Sequence, residues 1–345
     1  MALTVDTTRA SAPAGLISGS MVWNGLLIAA LLLLPLVAPR YWIYFAGLLG
    51  INVIATQGLN IMMGYTGLLS LGHAAFVGVG AYTVALAQTY LGLPFWITIP
   101  LAGVSAAVIG AAFGLPSLRI RGLYLVIATL AAQFILTFVF VHWQSVTNGD
   151  VGLPVRPATV FGYALNNETR IYYLILAVVV FLMIFARNVI KSRVGRAFIA
   201  IRERDLTAQV LGVEIVTFKL VAFALGSFYA GVAGGLLAYF NQFVNPEQFG
   251  LLLSVFFLSA AIVGGPGPIL GAILGAAFMT LPPEVLRESS LLFGEVFQID
   301  LGTVLTPLRE TIFGLLMVSF LIFEPRGLAQ LWKRAKHKFS SGRSG

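Results

Sequence analysis

The sequence contains no cysteine, and only 10% of its 345 residues are charged. The first absence excludes disulfides, thiolate chemistry and zinc–thiolate sites. The second excludes a soluble chain of this size, which needs far more charge to stay in solution. Acids are scarcest of all: none occurs between Asp6 and Asp150, and none between Glu168 and Glu203. Those present fall between apolar runs or at their ends. Transporters driven by protons or sodium commonly hold a carboxylate inside the membrane to bind and release the coupling ion. A chain without one is a poor candidate for ion coupling, although sodium sites built from backbone carbonyls stay open. No GxxxxGK[ST] pattern occurs, so ATP does not bind here through a P-loop. His73, His142 and His337 lie far apart in the chain. No His/Asp/Glu group has metal-ligand spacing, and no Ser–His–acid set carries a nucleophile-elbow signature. Nothing points to an enzyme, and no cofactor site is expected in this chain.

What is present is apolar. Hydrophobic residues make up 59% of the chain, and mean hydropathy is +0.93. Runs of about 20 apolar residues recur along the whole length, the length a helix needs to cross a bilayer. Segments of about 10 strictly alternating residues, the mark of a membrane β-barrel, do not occur. The fold class is therefore an all-α polytopic membrane protein with about ten membrane segments, some short or re-entrant, in two related halves. The 37 glycines suit helices packed closely through small residues. Residues 1–20 read as a flexible leader, 21–323 as the transmembrane domain, and 324–345 as a basic tail. The run from Val22 to Ala38 lacks a clear cleavage site behind it and reads as a retained first helix rather than a signal peptide. Polar stretches at 143–170 and 284–309 interrupt the apolar pattern. The runs Leu251–Gly265 and Ile269–Leu281 are short for full spans and could be re-entrant.

The greatest interruption is Arg187 to Lys219, with seven of the 21 Lys/Arg residues and three of the 13 acids. With ten spans and the N-terminus inside, the inner pieces hold 16 basic and 5 acidic residues and the outer pieces 5 and 8. This bias places both termini and the 187–219 loop on the cytoplasmic side, and 143–170 and 284–309 outside. It also accounts for the net charge of +8 without any nucleic acid. Within the loop, Ile199, Leu206, Val210 and Leu211 alternate with charge clusters, as in an interfacial amphipathic helix. Asp205 can cap a helix starting at Leu206, and Gly212 can end it. Such a helix suits a groove on a soluble partner, or a bed of anionic membrane lipid.

Two further stretches stand out. In Leu59 to Tyr82, Gly64, Gly67 and Gly72 oppose a continuous helix, and polar Asn60, Thr66, Ser70 and His73 sit among apolar neighbours, with Tyr82 closing the stretch. A break near Gly64–Gly67 is expected, and broken membrane helices usually line a cavity. These eight residues are candidates for a translocation path. The alternative is that the glycines only allow close packing and His73 bonds to a neighbouring helix. In Val263 to Phe278, Gly271, Ala272, Gly275 and Ala276 form a small-residue face, expected to pack against a neighbouring subunit or repeat.

Taken together, GLNIMMGYTGLLSLGHAAFVGVGAY, LRIRGLYLVIATLAAQFI, SRVGRAFIAIRERDLTAQVLGVEIVTFKLVAF, IVGGPGPILGAILGA and IFGLLMVSFLIFEPRGLAQL resemble the LivM-type permease subunits of ATP-binding-cassette importers for branched-chain amino acids. The resemblance runs from about Tyr41 to Leu331, and ends on Pro-Arg-Gly-Leu at Pro325 to Leu328. It implies a pore shared with a second, LivH-type permease, two cytoplasmic ATPase subunits that use ATP and magnesium, and a periplasmic solute-binding protein, all at a bacterial inner membrane. It also implies that the loop docks on an ATPase, with Ile201, Arg202, Glu203, Arg204, Asp205, Ala208, Leu211 and Gly212 in the coupling motif. The chain departs from the pattern at Thr147–Asn148–Gly149–Asp150, where relatives often carry a Thr-Gly-Gly segment. Relatives also handle urea, amides and aromatic acids, so the solute stays open. The reading from another class is a secondary transporter or facilitator working alone.

Overall fold

Lipid cannot satisfy backbone N–H and C=O groups, so apolar runs of this length must close their hydrogen bonds internally as helices. The computed structural model describes residues 31–117, 123–160, 163–164, 167–297 and separate positions between 311 and 334. Helix α1 (Arg40–Asn60) runs on into a π-helical turn, Ile61–Tyr65. There follow α2 (His73–Leu91), α3 (Phe95–Ser117), α4 (Leu123–His142) and the single turn α5 (Gln144–Thr147). Next come α6 (Glu168–Lys191), two short helices α7 (Arg193–Glu203) and α8 (Asp205–Val210), and α9 (Ile215–Asn241). The series closes with α10 (Leu251–Gly264) and α11 (Ile269–Phe297). Eight helices among the described residues are long and apolar enough to cross a membrane. Of the expected first run Val22–Ala38, residues 31–37 are helical, Ala38 lies in a bend, and 22–30 lie outside the described residues.

Helix α9 is the hub. It packs along α1, α2 and α3, and small residues let the backbones meet. A Cβ at Gly80 would sit 2.0 Å from the Gly231 carbonyl oxygen, and one at Gly234 only 1.8 Å from that of Val77. The crossing of α2 over α9 therefore has no room for side chains, the close approach that stabilises helix pairs in lipid. Around it lie the fully buried rings of Phe76, Tyr229 and Tyr239.

Within the chain, the small-residue face of α11 packs against α10: a Cβ at Gly275 would meet the Ala260 carbonyl oxygen at 1.9 Å. The turn between α10 and α11 is tight enough to bring those faces together directly. And α11 is 29 residues long, not a short run ending at Leu281. It continues through Pro282 and Pro283, and an Arg287–Glu284 ion pair of 2.6 Å bridges the following turn. Hydropathy falls there, but the helix does not stop, so 284–297 is helix rather than an irregular polar stretch. Helix α10 is short at 14 residues, with a 3₁₀ turn, Pro246–Phe249, leading into it.

The end of the bundle away from 187–219 is tied by short strands. β1 (Leu153–Pro154) pairs antiparallel with β4 (Phe243–Val244), Leu153 opposite Val244. β2 (Thr159–Val160) pairs with β3 (Tyr163–Ala164). The Gln88 side chain clamps the backbone of Arg156 twice, accepting from its N–H at 2.8 Å and donating to its C=O at 3.1 Å. The segment after α4 is thus held down against the ends of α2 and α9.

Candidate functional site

Helix α6 carries Arg187 and Lys191, and Ser192 follows its end. Ser192 caps α7 by accepting from the Val194 N–H at 3.2 Å. Helix α7 buries Ala197, Phe198 and Ile201 against the bundle. At Arg204 the backbone becomes extended, and α8 begins one residue later. Asp205 does not cap α8: its carboxylate instead takes a 2.7 Å ion pair from Lys219 at the start of α9. A charged partner within reach outcompetes a weak N–H contact. Gly212, with φ of +84°, ends the segment as expected, its N–H bonding to the Gln209 carbonyl.

The eight expected coupling residues divide into two kinds. Ile201 and Ala208 are buried within the chain, while Arg202, Glu203, Arg204, Leu211 and Gly212 are exposed and Asp205 is half-buried. Beside them stand two residues outside the expected set. Leu206 and Val210, one turn apart, are 67% and 87% exposed, and Leu211 is 76% exposed. An apolar knob rimmed by charge projects from the loop. Single exposed apolar residues are ordinary, but two on one turn of a six-residue helix with a third just past its end make a candidate contact surface.

The break expected near Gly64–Gly67 is present. The π turn leads into an irregular stretch up to Gly72, with Gly67 at φ of +73°. Two polar junctions hold its ends. At the first, Asn60 pairs with the backbone of Gly267 in the α10–α11 turn, donating to its C=O at 3.2 Å and accepting from its N–H at 2.9 Å. Gly64 lies against this pair: a Cβ there would be 2.1 Å from the Asn60 Oδ1. The guanidinium of Arg202 donates to the Gly64 carbonyl, and Gly67 lies beside its stem. Thr66 closes the turn by donating to the Met62 carbonyl.

The second junction is the first turn of α2. Helix N-termini leave N–H groups without helical partners, and here other helices supply them. The Ala74 N–H donates to Ser254 of α10 at 2.9 Å, and the Ala75 N–H to Gln133 of α4 at 2.9 Å. Gln133 also donates to the Phe249 carbonyl at 2.7 Å. Thr129 accepts from the Leu71 N–H at 3.0 Å, and a Cβ at Gly72 would strike the Thr129 carbonyl at 2.4 Å. Ser70 accepts from the Gly72 N–H. His73 is fully buried and donates from Nε2 to the Ala55 carbonyl at 2.8 Å, edge-on to Phe257.

The candidate path residues are thus split. Asn60, Gly64, Thr66 and Gly67 share one junction with Arg202; Ser70, Gly72 and His73 share the other; Tyr82 stands apart, stacked on Phe140 at 4.7 Å. All but Gly67 are buried inside the chain. Thr129, Gln133, Ser254 and Gly267 were not singled out from sequence. The available signal was Thr129 and Gln133, polar and one turn apart in an otherwise apolar run. Among the described residues, no group of His, Cys, Asp and Glu could hold a metal.

Eight membrane-length helices around a broken pair, with a charged loop at one end, define a multi-pass membrane protein. The family model for the branched-chain amino acid transport system / permease component matches residues 41–321. The LivM permease protein of the high-affinity branched-chain amino acid transport system of Salmonella typhimurium is 33% identical over 95% of this chain and 80% of its own length. That of Escherichia coli K12 is 33% identical over 94% and 79%. The LivH permease protein of the same Escherichia coli system is 28% identical over 68% of this chain and 80% of its own. The chain belongs to this permease family, a family of transport proteins and not of enzymes. No solved structure matches it.

Proposed function

We propose that the chain is one of two permease subunits of an ATP-binding-cassette importer in a bacterial inner membrane, passing a branched-chain amino acid or a related small polar solute. The exposed knob of Leu206, Val210 and Leu211 carries this reading, because it offers a soluble partner a hold on a loop that is itself fastened to the bundle. That partner is an ATPase subunit, one of two, which binds ATP and magnesium. Similarity to both LivM and LivH proteins supports a paired pore with a second, related permease. The charge bias supports a cytoplasmic position for 187–219 and both termini. The opposite face, with the clamped segment 143–160 and the strand and turn at 243–249, would receive a solute-binding protein.

The test is uptake by liposomes holding this chain, its partner permease and the two ATPases, with loaded binding protein outside. Uptake that needs ATP and binding protein is expected. Equal uptake by the chain alone would contradict the proposal and favour a facilitator.

A further inference from the structure

Four pieces of chain meet at one point on the loop end of the bundle. The π turn closes α1, and its Gly64 carbonyl accepts from Arg202 of α7. Asn60, one turn earlier, pairs by both ends of its amide with Gly267 of the α10–α11 turn. Arg202 reaches that turn too, its Nη1 lying 3.4 Å from where a Gly267 Cβ would stand. Gly327 packs behind, so closely that a Cβ would be 2.4 Å from the Gly265 Cα. Gly265, Gly267 and Gly327 all have positive φ, so this meeting is built on backbone that side chains would block.

The pieces that meet are the connections, not the spans. One precedes the α1–α2 break, and one joins α10 to α11. π-helical turns are rare and recur at functional positions, because a local change of ladder lets a helix bend there. Arg202 stands where this junction adjoins the loop. Its residue is exposed on one side, while its guanidinium reaches in to Gly64. It lies one residue after the buried Ile201, and three before Asp205, which is itself tied to α9 through Lys219. Motion of α8 therefore has two fixed ways into the membrane domain, and Arg202 is the one that ends on the broken helix.

We propose that Arg202 is a positioning residue that carries displacement of α8 into the α1–α2 break and the α10–α11 turn, through the Gly64 carbonyl and the Asn60–Gly267 pair. This rests on the reading of the charged loop as an ATPase-docking element. The guanidinium suits the task because its rigid fork holds a direction as well as a distance, which a flexible ammonium does not. Two packed arrangements of the junction, rather than gradual bending, would switch the connections together.

The test uses the complete reconstituted complex and reads solute imported per ATP hydrolysed, a ratio insensitive to how much protein folds. Arg202→Met is expected to keep its ATPases but import about ten-fold less per ATP, the scale of typical coupling between sites. Arg202→Lys should restore part of the ratio. Asn60→Ala, at a residue buried inside the chain, should lower it similarly, and the double variant should fall no further than either alone. The proposal is overturned if Arg202→Met keeps a ratio within about two-fold of the parent. It is equally overturned if that variant loses its ATPases, which would make Arg202 a docking residue, or if the two substitutions simply add. Import by the unaltered complex without ATP would instead defeat the docking reading itself, before any variant is compared.

Discussion

Helices α7 and α8 lie in the same loop, separated only by Arg204, yet the first buries two of its large apolar residues and the second exposes both of its own. Phe198 and Ile201 of α7 are almost fully buried against the bundle, while Leu206 and Val210 of α8 face outward. On the proposed function, the difference would give anchoring to one helix and docking to the other. A partner pressing on α8 would meet a lever whose near arm is packed into the membrane domain and whose charged residues, Arg202 and Asp205, are already engaged inside the chain.

The contrast can be broken most severely on the docking side. Leu206→Glu with Val210→Glu should weaken association with the ATPases by about a hundred-fold or more, since central apolar anchors at interfaces cost about 2 kcal/mol or more each when lost. Co-purification or a binding titration would show it. The thermal unfolding of the chain should not change, because neither side chain packs inside it. On the anchoring side, Phe198→Ala removes a ring that is 1% exposed and should cost about 3–5 kcal/mol of stability. Chain that survives should still bind its partner, so unfolding and binding would separate the two helices' roles. The smallest effect is expected at their shared exit. Gly212→Ala places a Cβ at φ of +84°, where nothing crowds it. The strain alone should cost about 1–2 kcal/mol, seen as a modest fall in melting temperature without loss of docking. Equal effects of the first two substitutions on both readouts would erase the distinction between α7 and α8.

Local pattern carried much of this in the sequence. Apolar runs announced membrane-spanning helices, and Leu251–Gly265 matched α10 to within one residue, because lipid leaves such runs no alternative to helix. The glycines and polar residues from Asn60 to His73 marked the break, and Gly212 marked the end of the charged helices. The misses have one physical cause. Asp205 seemed a helix cap because only its neighbours in sequence were in view; its partner is Lys219, on another helix. Ser254 and Gln133 complete the α2 N-terminus from positions 180 and 58 residues away along the chain, so no local period announces them. The end of α11 was misplaced because apolar content and helicity part company after Leu281, and hydropathy reports only the first. Likewise, Ile201 and Ala208 belong to the charged segment in sequence but to the interior in space.

The candidate path residues show the same limit from another side. Their polarity within an apolar stretch was legible, and so was the break they create. Their actual partners were not. Asn60 could have faced a cavity, but instead pairs with Gly267, and His73 donates to Ala55. Pairing of this kind lets these groups fix the shape of the break.

Because the chain lacks cysteine, a single introduced thiol is unique within it, and this permits the most direct test of the docking claim. Val210→Cys and Ile201→Cys can be compared in native membranes holding the whole complex, using a short thiol cross-linker that reaches neighbouring protein. The account predicts that the thiol at 210 joins the chain to an ATPase subunit, in a yield that changes with ATP, while the thiol at 201 joins nothing. Failure of the 210 thiol to reach an ATPase, or its labelling from the outer face of the membrane, would contradict the account.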